Sequence, residues 1–133
     1  MIPRFRAWDK HGQKMFTNDE LIIWNGNVYA NDSKKLTCNN LKGWSIDDEY
    51  LMQSTGLFDK EGTEVFEGDI LHHQIQTEYT FIVKYDKDKG RWYGDGLSRT
   101  YRIDIAKRFL PYYYKVIGNI YENKNLLEVE NED

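Results

Sequence analysis

Asp9-Lys10-His11-Gly12-Gln13-Lys14-Met15-Phe16 and Asp59-Lys60-Glu61-Gly62-Thr63-Glu64-Val65-Phe66 share one pattern, D-K-x-G-x-x-hydrophobic-Phe, and each copy follows an aromatic residue, Trp8 or Phe58. The pattern has a local physical meaning. An Asp at the start of a turn accepts hydrogen bonds from backbone amides just after it, and a Gly supplies positive φ near the turn's end. A type I turn closed by a left-handed Gly is a common short hairpin connection. Both copies are therefore predicted hairpin turns, with Asp9, Gly12, Asp59 and Gly62 as the turn residues. A looser third case is Asp86-Lys87-Asp88-Lys89-Gly90, between Phe81–Tyr85 and Arg91-Trp92-Tyr93.

Other segments read as strands too. Leu21–Trp24 and Val28–Ala30 flank Asn25-Gly26, a hairpin signal because both residues tolerate positive φ. Tyr79–Tyr85 is β-branched and aromatic, and Tyr112–Tyr121 is strand-like with Gly118 marking a bulge or close approach. Phe66-Glu67-Gly68-Asp69-Ile70-Leu71 suits a sharp bend, with Gly68 as the kink and Asp69 bonding nearby backbone amides. Helical signals are few. Ser45 is a candidate cap for a short turn over Ile46–Tyr50, and Asn123 for one through Leu127. Arg102–Phe109 fits neither pattern cleanly. With 15 % aromatic residues, a core can be built from few positions. The expected fold is mainly β with little helix: an N-terminal β-hairpin region (1–60) packed on an SH3-like barrel (61–127), followed by an acidic frayed tail (128–133).

The single cysteine, Cys38, excludes an intramolecular disulfide and suggests a reducing compartment. Met1–Arg6 is not followed by the apolar run of a signal peptide. No stretch approaches the ~20 apolar residues of a membrane span. The expected location is the cytoplasm of a host bacterial cell, with no membrane partner. Net charge is −4, yet Lys84–Lys115 carries nine basic against four acidic side chains.

Candidate chemistry is sparse. His72 and His73 are adjacent in a predicted strand, so they point to opposite faces and do not share an ion; His11 and Cys38 add no ligand spacing. No metal or other cofactor is expected. Asp69 with Glu64 and Glu67 is a weak acid–base cluster, better explained by a carboxylate serving backbone amides at a bend. Asp47-Asp48-Glu49 reads as a solvated helix start. Cys38 shows neither a base nor an electropositive pocket. Gly94 and Gly96 flank Asp95 without the Lys-Ser/Thr of a phosphate loop. No catalytic residue is assigned. The basic segment interleaves Arg91, Arg99, Arg102, Lys107 and Arg108 with Trp92 and Tyr101, and such a pattern can bind phosphates and stack on bases. The competing explanation places the aromatics in the core and the charges on a mixed surface.

Three segments resemble one family: Ile2–Asp9; Leu51–Gly62 running into Val65–Ile70; and Tyr114–Asn123. In this order they are similar to the YopX-like proteins of bacteriophages and prophages. Asn123-Lys124-Asn125 stands where the family usually has Asn-Pro-Glu. The resemblance implies a β-rich fold with an SH3-like C-terminal part and a phage origin. It implies no reaction and no ligand residues, since the family's function is unassigned.

Three functions follow in order. The first is a non-enzymatic interaction module that binds a host or phage protein, or a second copy of itself. The second is a nucleic-acid-binding protein using residues 84–115. An enzyme comes last.

Overall fold

The computed structural model describes residues 3–24, 27–30, 44–77, 79–97, 102–105 and 110–128. The chain divides into two compact units, Met1–Gln53 and Ser54–Asp133. Antiparallel, curled sheets dominate and helix is short, in line with the mainly β expectation.

In the first unit, β1 (Phe5–Asp9) and β2 (Lys14–Phe16) form the first D-K-x-G hairpin, in register Ala7↔Phe16 to Asp9↔Lys14. Residues Leu51–Gln53 pair on the other side of β1. A 3-10 turn, Asn18–Glu20, leads into β3 (Leu21–Trp24), and β4 (Asn27–Ala30) and β5 (Trp44–Ile46) complete a three-stranded sheet in the order β3-β4-β5. The register Trp24↔Asn27 brackets Asn25-Gly26, which lie outside the described residues. The core of this unit is Ala7, Phe16, Val28, Ala30 and Ile46, with Leu21, Tyr50 and Leu51 against it. One expectation is corrected. Ser45 and Ile46 belong to β5, and the helical turn starts later, at Asp48–Tyr50. Ile46 pairs with Val28 and is buried, so its apolar side chain is secured by the strand.

The second unit begins inside β6 (Leu51–Phe58), whose residues Ser54 and Phe58 pair with β7 (Glu64–Phe66) around a bulge. Then come β8 (Asp69–His73), β9 (Thr80–Asp86), β10 (Arg91–Gly96), β11 (Ile103–Asp104), a helical turn α1 (Leu110–Tyr113), β12 (Tyr114–Asn119) and α2 (Lys124–Glu128). The five-stranded sheet runs β11-β10-β9-β8-β12, all antiparallel. Its core holds Val65, Leu71, Val83 and Leu110, with Leu57, Trp92, Ile105, Tyr114 and Val116 packed on it. The strand expected over Tyr112–Tyr121 starts only at Tyr114. Pro111 fits the first turn of a helix, where its missing N–H costs nothing, and it carries Tyr112 and Tyr113 into α1. The bulge at Gly118 is present, between Val116 and Gly118. A Cβ on Gly118 would collide with the Asn123 side chain, whose Oδ1 accepts the Asn119 amide at 3.0 Å. The Asn123 side chain thus serves β12, while its carbonyl accepts the Leu126 amide at the start of α2.

Asp59 and Asp69 anchor this unit. Asp59 is 3 % exposed. Its Oδ1 accepts the Glu61 and Thr63 amides at 2.9 and 2.8 Å, and its Oδ2 accepts the Val116 amide of β12 at 2.9 Å. The Lys60 amide donates to the Tyr114 carbonyl at 2.9 Å, so the turn runs on as a continuation of the sheet edge. Asp69 is buried in the bend, and its Oδ2 accepts the Phe66 amide at 2.8 Å. Gly68, at φ 85°, bonds Val83 through its N–H and Ile120 through its carbonyl. The two D-K-x-G turns differ in one respect. Gly62 has φ 84°, but in the first turn the left-handed residue is Gln13, at φ 53°, and not Gly12. Gln13 is held there by a bond from its side-chain amide to the Lys10 carbonyl, at 2.6 Å.

Replacing Asp59 by Ala takes the acceptor from three amides, one on half-buried Val116 of β12 and two on the exposed turn residues Glu61 and Thr63, at a cost of about 3 kcal/mol of stability. The same change at Asp9, which among the described residues accepts the exposed His11 amide alone, costs less than about 1 kcal/mol. Urea denaturation of the two variants against the parent protein checks the contrast.

Candidate functional site

Strand alternation sorts the basic segment into two faces. Trp92 turns inward, packs on the core of the second unit and meets Tyr85 edge-on at 4.9 Å. Its indole is half-buried, with part of its surface committed to that core. Arg91, Tyr93 and Asp95 alternate with it. Here the outer face of β9, β10 and β11 forms a lattice of opposite charges. Lys84 meets Asp95 at 2.6 Å, Arg102 meets Asp86 at 2.8 Å, and Arg91 meets Asp104 at 3.6 Å. The Arg102 guanidinium lies over the Tyr93 ring, 3.7 Å from its centroid. On this face lies a groove of about 260 Å³, bordered by Asp86, Lys89, Arg91, Tyr93, Arg102 and Asp104. Of the residues proposed for nucleic acid, the groove unites Arg91 and Arg102. Arg99, Tyr101, Lys107 and Arg108 lie outside the described residues, as does Cys38.

Asp86 organises one end of this groove. Its Oδ1 accepts the Asp88 and Lys89 amides at 3.0 and 3.2 Å, and Gly90, at φ 65°, closes the turn. The Lys89 amide is the largest influence on the Asp86 carboxyl and lowers it; burial, the next largest, opposes this, and the Asp88 amide and Arg102 guanidinium together with Lys89 hold it below its ordinary value.

A second constellation was not legible in the sequence. His73, at the end of β8, accepts the Ile75 and Gln76 amides on Nδ1, at 3.1 and 2.8 Å. Its ring stacks on Tyr113 at 5.4 Å and meets Tyr114 and Tyr79 edge-on. The Gln74 amide donates to the Tyr113 carbonyl at 2.7 Å, tying the β8–β9 connection to α1. Ile75 is 71 % exposed, Tyr112 66 % and Tyr113 38 %. Burial, with a smaller effect from Tyr79, raises the Tyr114 phenol above its ordinary value. His72 uses its Nδ1 toward the Thr80 hydroxyl, at 3.0 Å. Among the described residues, no three His, Cys, Asp or Glu side chains are grouped to hold a metal ion. In the first unit, a space of about 60 Å³ lies beside Trp8, Asp47 and Tyr50, with the Lys10 ammonium over the Tyr50 ring. No described helix is long and apolar enough to cross a membrane.

The YopX protein family matches residues 4–128, nearly the whole chain. The chain belongs to the YopX family. A crystal structure of protein EF1440 from Enterococcus faecalis is similar to it, with 30 % identity and a TM-score of 0.65 over 96 % of this chain and 99 % of that one. No curated protein matches. Family membership carries no assigned activity, and the YopX fold here presents two surface features, a charged groove and an aromatic corner.

Because the Asp86 carboxyl is held low, its contribution to the β9–β10 turn is complete above the ordinary aspartate range and is lost as pH falls through the lowered value. An NMR titration should find Asp86 titrating below a reference aspartate. Arg102→Gln should raise it only part-way, since the two amides remain.

Proposed function

We propose that this YopX-family chain is a non-enzymatic module that acts by binding another protein, and that the aromatic corner of the second unit is its contact face. The supporting observation is the exposure of Ile75, Tyr112 and Tyr113 on a backbone already held in place. Tyrosine supplies a large amphipathic contact surface at low conformational cost, and aromatic anchors dominate binding energy at protein interfaces. The ring of His73 backs Tyr113, and its Nδ1 bonds hold the Ile75 backbone, so little ordering remains to be done on association. The SH3-like reading of the second unit, the phage or prophage origin and the cytoplasmic location belong to the same proposal. They rest on the family resemblance and on the lone Cys38.

The test is affinity capture from lysogenic host cells, with the parent protein and an Ile75→Asp/Tyr112→Ala variant compared side by side. The proposal expects a partner that the parent retains and the variant loses, with both proteins equally stable. Equal capture by both, or a parent protein that is monomeric and captures nothing, overturns it.

A further inference from the structure

The groove on the outer face of β9–β11 has a use of its own. Three cations, Lys89, Arg91 and Arg102, face two carboxylates across it. The carboxylates are unequal. Asp86 is occupied from three directions, by the Asp88 and Lys89 amides and by Arg102. Asp104 only approaches Arg91, at 3.6 Å, with both side chains more than half exposed. That separation exceeds a good hydrogen bond, so Arg91 keeps its donors for another acceptor. Arg102 commits one terminal nitrogen to Asp86, while Tyr93 fixes the plane of the remaining N–H groups. Lys89 has no ion-pair partner among the described residues.

We infer that this groove binds the terminal phosphate of a small phosphomonoester, held by Arg91, Arg102 and Lys89. Guanidinium groups bind phosphate oxygens through paired, charge-assisted hydrogen bonds. A dianion competes with the loosely held Asp104 for Arg91 more strongly than a single negative charge does. The groove, at about 260 Å³, falls below the ~300 Å³ at which sites for drug-sized ligands begin, so it fits a phosphate and its ester link rather than a whole nucleotide. A nucleic-acid strand is disfavoured here. Its internal phosphates carry one charge each, and the Tyr93 face on which a base could stack is already covered by Arg102.

The test is an NMR titration of the full chain with phenyl phosphate, inorganic phosphate and a short oligodeoxynucleotide lacking terminal phosphates, at constant ionic strength. Phenyl phosphate should give saturable shifts at the Arg91 and Arg102 side-chain N–H groups and the Lys89 amide. Inorganic phosphate shifting the same signals equally would identify the phosphate itself, free or esterified, as the ligand. Arg102→Gln should weaken binding about tenfold. Since that change also releases Asp86, Arg91→Gln is the second variant, expected to weaken binding with the β9–β10 amide shifts preserved. Asp104→Asn should tighten binding, because it removes the competing carboxylate. The inference is overturned if no saturable shifts occur, if Arg91→Gln and Arg102→Gln both bind like the parent, or if the oligonucleotide shifts these signals at lower concentration than phenyl phosphate.

Discussion

The Asp59 carboxylate accepts three backbone N–H groups from within the fold, two of its own turn and one from Val116, 57 positions further along the chain. A carboxylate placed so deep is tolerable only because its oxygens are used in this way. The arrangement joins a local problem to a distant one. The turn between β6 and β7 is shaped by Oδ1, and the outer edge of β12 is closed by Oδ2. With the Lys60 amide on the Tyr114 carbonyl, the sheet edge is covered by the turn rather than left open. The Gly68–Asp69 bend does related work at the other end of the same strand pair, where Gly68 connects β9 and the residue after β12.

The turns were legible because their chemistry is local. Asp59, Gly62, Asp86 and Gly90 bond or bend within a few residues of themselves, and the strands on each side follow from alternation. What lay beyond reach is the difference between Asp9 and Asp59. Both open the same motif, but one bonds an exposed amide two residues on and the other reaches a distant strand. No local pattern contains Val116. The first turn also shows that Gln13 can take the left-handed position when its side chain bonds back to Lys10. The helical turn starts at Asp48 rather than Ile46 for a comparable reason, since pairing and burial of Ile46 with Val28 outweigh a capping Ser45.

The candidate sites divide in the same way. The alternation Arg91, Tyr93, Asp95 against Trp92 and Gly94 is written in the sequence, and it places the charges together and the tryptophan inside. The pairing of each cation with a carboxylate depends on the register of β9, β10 and β11, such as Tyr93↔Asp104, and that register is a tertiary fact. The aromatic corner is more remote still. It exists because β8 pairs with β12, bringing His73 opposite Tyr114, and because Pro111 turns the chain through α1 just before. The one signal that points to it is Pro111 ahead of three tyrosines, which marks a helical start where the residue types alone suggest strand.

The central claim is that one buried carboxylate holds the β6–β7 turn to β12. Amide hydrogen exchange, read residue by residue, tests it most directly. Val116, Glu61 and Thr63 should exchange slowly in the parent protein. In Asp59→Ala all three should lose protection together, while amides that bond across the β9–β10 pair, such as Tyr93, stay protected. A Val116 amide that exchanges as fast as an open turn amide in the parent, or one that keeps its protection without Asp59, would contradict the account.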